Sequence, residues 1–117
     1  VKLLTKALRK QLPALYEQDS KGDEAIVYAH FFMVDSNYHL YATEGGDVYA
    51  SDEDERAGKP YDYHFFGLVV GQCPELGYSS LIEMEGVRGK LGLPIERDLY
   101  WTPKTLREVK EQEGIAV

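Results

Sequence analysis

Cysteine is nearly absent from this chain. The single Cys73 excludes an intrachain disulfide, a thiolate metal cluster and a CxxC redox pair. With Pro74 beside it and no basic neighbour in sequence to lower its pKa, its thiol is expected to be inert. Long apolar runs are missing as well: no stretch approaches the roughly 18 to 20 residues that span a bilayer. The basic opening VKLLTKALRK leads into charge rather than into the apolar core of a signal peptide. The expectation is an unexported, cytoplasmic protein with no membrane contact. The patterns GxGxxG and GxxxxGK[ST] are absent, which removes nucleotide binding through a glycine-rich loop, and Ser79 and Ser80 sit in no GxSxG frame. No cofactor is expected.

What the chain does have is tyrosine and acid. Its 117 residues fit one domain, taken here as 1–117, and 44% hydrophobic content suffices for one core. Nine tyrosines against four phenylalanines place much of the aromatic area at the core's edge, where a hydroxyl still reaches water or a partner. The net charge of −7 is unevenly spread. Residues 17 to 55 carry eleven acids (Glu17, Asp19, Asp23, Glu24, Asp35, Glu44, Asp47, Asp52, Glu53, Asp54, Glu55) against one base, Lys21, leaving +3 for the remainder. DNA would be repelled by this half, whereas a protein with a basic surface would be attracted, so direct nucleic-acid binding is not expected. Asp47, Asp52, Glu53, Asp54 and Glu55 form the candidate acidic surface. The run Asp52 to Glu55 lacks the alternating ligands and fixed glycine of a calcium loop.

Periodicity and turn chemistry give the order α, β, β, β, α, β, α. A helix is expected from Thr5 to about Leu12, ended by Pro13, followed by a polar linker over 17–24. Residues 25–34, AIVYAHFFMV, read as a central strand, and 38–44, YHLYATE, return from a DSN turn as its hairpin partner. Residues 45–60 read as a loop and 61–70, YDYHFFGLVV, as a third internal strand. Residues 71–77 read as a connection. Ser80 three residues before Glu83 marks a short helix over 81–85. RDLYW (97–101) reads as a fourth strand, and Thr102 with Pro103 as the start of a last helix ended by Gly114. The fold class is α+β: a small, mainly antiparallel sheet of three to five strands, with both terminal helices on one face.

Three histidines are the only imidazoles. With a turn at 35–37, His30 is placed opposite Ala42 and Thr43 rather than His39, so the hairpin separates these two; His39 and His64 meet only if their strands pair. No metal site is expected.

The densest polar chemistry is GVRGKLGLPIERDLYW, 86–101. Glu83, Glu85, Arg88, Glu96, Arg97 and Asp98 offer several Arg–carboxylate pairs, which can hold an irregular segment in one geometry. Gly89 and Gly92 supply unusual backbone angles and Pro94 a rigid exit. The stretch is expected to be an ion-paired clasp in which Arg88 or Arg97 meets Glu83, Glu85, Glu96 or Asp98. Its rim offers a binding set of Tyr78, Arg88, Lys90, Arg97, Tyr100 and Trp101, combining charge with flat apolar area.

The segments LLTKALRKQLPALY, ATEG, YHFFGLVVG and GYSSLIEMEGVRGKLGLPIERDLYWTP together resemble the bacterial family catalogued as domain of unknown function two-nine-five-eight. The resemblance covers nearly the whole chain. It implies a small protein or module carried on plasmids, conjugative elements and phages, and no catalytic residues. The chain departs from the family at Tyr38, His39, Leu40 and Tyr41, where members tend to be tryptophan-rich, and ASDEDERAGKP looks like a local elongation.

The leading expectation is therefore a non-enzymatic interaction module serving a mobile genetic element. A sharper version makes the acidic segment a DNA mimic of the anti-restriction kind, with carboxylates spaced like phosphates at about 3.4 Å per strand charge. The rival is a small hydrolase- or nuclease-like enzyme whose acid, base and anion-stabilising groups come from the Glu83–Asp98 cluster. Convergence of at least two of those side chains on a concave site separates the rival from a purely structural cluster.

Overall fold

A computed structural model describes residues 2–116. The first helix, α1 (Lys6–Gln11), starts where expected because the Thr5 side chain accepts a hydrogen bond from the Leu8 amide, and it stops at Leu12, before Pro13. A 3-10 segment follows over Asp19–Glu24. The expected long strand at 25–34 is split at Tyr28 into β1 (Ile26–Val27) and β2 (Ala29–Met33). β3 (His39–Val48) runs four residues beyond the expected end, and β4 (Asp62–Val70) matches its expectation. β5 (Glu75–Ser80) occupies what reads in sequence as a connection.

β6 (Ile95–Arg97) lies two residues earlier than RDLYW, and β7 (Lys104–Thr105) precedes the last helix. The main sheet has the antiparallel order β5-β4-β3-β2-β6, and β1 pairs with β7 in a second, two-stranded sheet. This is the expected small α+β fold.

Of the three remaining helices one matches its expectation and two do not. The four acids of 52–55 are not in an irregular loop but in α2 (Asp52–Arg56), capped by Ser51. Carboxylates in a first turn favour a helix through its macrodipole, and Gly58 at φ +67 turns the chain out. α3 (Leu81–Gly86) has Ser80 as its cap, as expected. α4 (Leu106–Glu113) begins three residues after the Thr102–Pro103 signal. The cap is Thr105, in a reciprocal box with Glu108, because the Leu106 amide donates to the Ala25 carbonyl and holds Lys104 and Thr105 extended against β1.

The sheet is covered on both faces, not one. Leu3, Leu4, Leu8 and Leu12 from the N-terminal segment and Met84 of α3 bury Phe31, Leu40, Ala42 and Phe65 on the first face. Leu106 and Val109 of α4 bury Val27, Tyr41 and Leu68 on the second. Strand alternation explains the division, since successive residues of β2 and β3 point to opposite faces.

β3 outlasts β2, and the chain at 13–18 lies alongside its exposed half. The Gly45 amide donates to the Pro13 carbonyl, 3.0 Å, and Leu15 packs over Gly46 where a side chain would crowd it. The Tyr16 backbone enters the left-handed region at φ +75, which costs a non-glycine residue free energy and needs compensation. Compensation comes from Glu44, 3% exposed, whose two carboxylate oxygens accept the Tyr16 amide at 2.7 Å and the Gln18 amide at 2.8 Å. Gln18, equally buried, uses its own amide group on the Thr43 and Ile26 carbonyls and the Ile26 amide. Replacing Glu44 by Ala leaves two amides without their acceptor. It is expected to lower stability by about 2 to 4 kcal/mol, read as a lower urea midpoint at unchanged slope.

Candidate functional site

The 13–18 segment has a second consequence: it delivers Tyr16 to β5. The Tyr16 and Tyr78 rings meet edge to face with centroids 6.4 Å apart, and Phe66 backs Tyr78 at 4.9 Å. The Tyr78 phenol is pushed up to about 12, first by hydrogen bonding with Tyr16 and then by desolvation. Beside this pair opens a groove of about 530 Å³ lined by Leu15, Tyr16, Tyr49, Tyr78, His64, Asp47, Asp52 and Glu55 together with the backbone between Val48 and Ser51. No lysine or arginine lines it. Asp47 is already held by Arg9 at 2.9 Å, whereas Asp52 and Glu55 of α2 are exposed and have no ion-pair partner among the described residues. Tyrosine faces plus the two carboxylates that Arg9 leaves free make a site for a positively charged group.

A second polar constellation lies on the α4 face of the sheet, and the expected hairpin geometry is corrected here. β2 and β3 pair His30 with Tyr41 and Phe32 with His39, so the register runs one to two residues tighter than expected and His30 and His39 become diagonal neighbours. His30 Nε2 and His39 Nδ1 are 2.8 Å apart, and His30 Nδ1 is 2.9 Å from Asp98. Burial lowers the His30 pKa despite the Asp98 bond, while that bond helps hold Asp98 below the usual carboxylate range against its own desolvation.

Neutral His30 therefore donates from Nδ1 to ionised Asp98 and accepts at Nε2 from His39 Nδ1. The Tyr41 ring stacks on His30 at 4.6 Å and its hydroxyl donates to Glu113 of α4 at 2.8 Å. Trp101 covers the group, with Lys104 Nζ 4.7 Å above its ring. His39 and His64 do not meet: their strands pair, but His39 faces Val70 and His64 faces Gly46. Among the described residues no three histidine, cysteine or carboxylate side chains are arranged so that they could hold one metal ion.

With these geometries established, comparison with known proteins is informative on one point. The family described as "Protein of unknown function (DUF2958)" matches residues 3–109. The chain belongs to that family. No curated protein and no solved structure matches it.

The ASDEDERAGKP stretch forms α2 and its flanks, one wall of the groove. His39 and Tyr41 belong to the Asp98–His30 network.

The expected arginine clasp is not built from ion pairs. Arg88 donates to the Glu85 and Val87 carbonyls, and Arg97 to the Lys2 carbonyl. Among the described residues neither lies within 4.0 Å of a carboxylate. The clasp is instead Asp35, from the β2–β3 turn, accepting the Leu91 amide at 2.7 Å while its other oxygen is buried against Gly89, where any side chain would collide with it. Gly92 at φ +80 closes the loop.

Of the expected binding set, Tyr78 lies in the groove. Arg88 and Lys90 border a hollow with Asp35 and Asn37, Tyr100 projects almost fully into solvent, and Trp101 donates its indole N–H to the Val27 carbonyl. Of the expected catalytic set, Glu85, Arg88 and Glu96 share a hollow of about 300 Å³ with Lys2 and Leu3; Arg97 and Asp98 line a different one.

The His30 network carries a sign. A histidine whose folded pKa lies below its unfolded value of about 6.5 leaves the unfolded state binding more protons, so stability falls as pH drops below about 6.5. Asp98 adds its loss only at lower pH, below the ordinary carboxylate range. Thermal unfolding between pH 7.5 and 5 should show a declining Tm for the parent and a flatter profile for His30→Gln. Parallel profiles would remove His30 from this role.

Proposed function

We propose that this DUF2958 protein is a non-enzymatic interaction module that seats a basic segment of a partner protein in the groove beside Tyr16 and Tyr78. One observation carries the reading: three tyrosines and unpaired carboxylates line a single groove that no lysine or arginine borders. A guanidinium or ammonium on a flexible stem fits such a lining, its charge met by Asp52 and Glu55 and its stem by the rings. The family resemblance supports a setting among plasmids and phages, and the single cysteine supports the cytoplasm. No helix among the described residues is long and apolar enough to cross a membrane.

The DNA-mimic version has less support than the groove. Asp23 and Glu24 pair with Lys110 and Arg107, Asp47 with Arg9, and Asp35 and Glu44 receive backbone amides, so five of the eleven acids are engaged internally. An enzymatic reading is favoured by the hollow shared by Glu85, Arg88 and Glu96. In that reading the guanidinium, fixed on two carbonyls, stabilises negative charge while the carboxylates exchange protons. Turnover on a panel of phosphoesters and glycosides that Glu96→Gln abolishes would establish it.

The interaction reading is tested by titrating a fluorescent Arg- and Lys-rich peptide. Tyr78→Ala and the pair Asp52→Asn with Glu55→Gln should each weaken binding about fivefold or more, and added salt should weaken it further. Binding that neither variant alters would refute the groove.

A further inference from the structure

Every strand of the main sheet except the two outermost is paired on both sides, and the two outer edges differ. β6 is three residues long. β5 is six residues long, pairs with β4 through all of them without a register shift, and leaves its other side free. Proteins blunt such edges with lysine, proline, bulges or brevity, because unpaired amides and carbonyls recruit another strand. ELGYSS carries one charge, Glu75 at its start, and no lysine, proline or bulge within it.

Its side chains alternate, so Leu76 and Tyr78 project on one face, 54% and 49% exposed. Tyr78 borders the groove already described. Leu76 borders a smaller hollow of about 110 Å³ whose other walls include Asp19, Phe66 and Leu106, together with Asp23, which Lys110 already pairs at 2.8 Å. Tyr16 and Tyr78 line only the first of the two hollows. Along a strand, residues i and i+2 are about 6.6 Å apart, so a strand laid beside β5 would bring one same-face side chain to each hollow.

We infer that β5 accepts an extended segment of a partner protein as a sixth strand, with basic side chains at alternating positions over the two hollows. Main-chain hydrogen bonds supply the docking and the alternating charges supply selection, the division of labour seen wherever a peptide is added to a sheet edge. Charge chooses the occupant. A second copy of this chain, itself at −7, would bring acid-lined hollows against each other, whereas a basic segment neutralises them. The placement of charge rests on the groove reading above; the strand geometry does not.

The test leaves the protein unaltered. Three eight-residue peptides alternating lysine or arginine with valine or threonine are titrated: one plain, and two N-methylated at alternate residues in the two possible phases. In an added strand only one phase points its amides at β5, so one methylated peptide should bind on the order of tenfold or more weaker and the other about as well as the plain one. Equal binding of all three would overturn strand addition while leaving the groove reading intact. Absence of binding by any of them would overturn both. A concentration-dependent dimer in sedimentation that the plain peptide fails to dissociate would assign the edge to a second copy and overturn the proposal.

Discussion

A carboxylate with its charge buried is tolerated only where donors surround it, and the Glu44 carboxylate is surrounded by the backbone of a segment with no regular structure of its own. The Tyr16 and Gln18 amides converge on it because Tyr16 adopts a backbone conformation that few non-glycine residues hold. Gln18 completes the arrangement by spanning Thr43 on β3 and Ile26 on β1. One acid in the middle of a strand thus joins the N-terminal segment, the long central strand and the small second sheet. Leu15 and Tyr16, two walls of the groove, are where they are because of it.

The same constraint accounts for the asymmetry of the molecule. β2 leaves β3 after Ala42, and the irregularity between Ala42 and Glu44 turns the Glu44 side chain toward the crossing segment. Below that point the sheet is closed by helices on both faces, with Phe31 and Leu40 on one side and Tyr41 and Leu68 on the other. Above it the sheet is flanked by a chain segment, α2 and tyrosines, and there the acidic groove opens. The proposed groove therefore opens on segments held by a rigid scaffold, where function is commonly placed.

Local chemistry was legible in the sequence and long-range pairing was not. Thr5, Ser80 and Gly114 announce helix ends through groups within a few residues, and all three do so in the structure. Thr102–Pro103 carries an equally good local signal and loses to Thr105, because pairing with β1 across nearly eighty residues holds the intervening chain extended. β5 escapes notice because ELGYSS has a glycine, few apolar residues and a single pairing partner. The His30–His39 contact was missed through a register difference of one to two residues, which in a hairpin changes which side chains face each other. The arginines of 88–97 have acids nearby in sequence, yet the acid that fastens the loop is Asp35, 56 residues before Leu91. Glu44 left one usable trace: an acid placed directly after the LYAT run of the strand expected over 38–44.

If Glu44 builds the groove by holding the 13–18 segment, amide hydrogen exchange on the intact protein will show it. The Tyr16 and Gln18 amides should exchange as slowly as those of β3 and β4, and in Glu44→Ala both should exchange fast while the basic peptide loses affinity and Phe31 and Phe65 stay protected. Fast exchange at Tyr16 and Gln18 in the parent, or full peptide affinity in the variant, would contradict it.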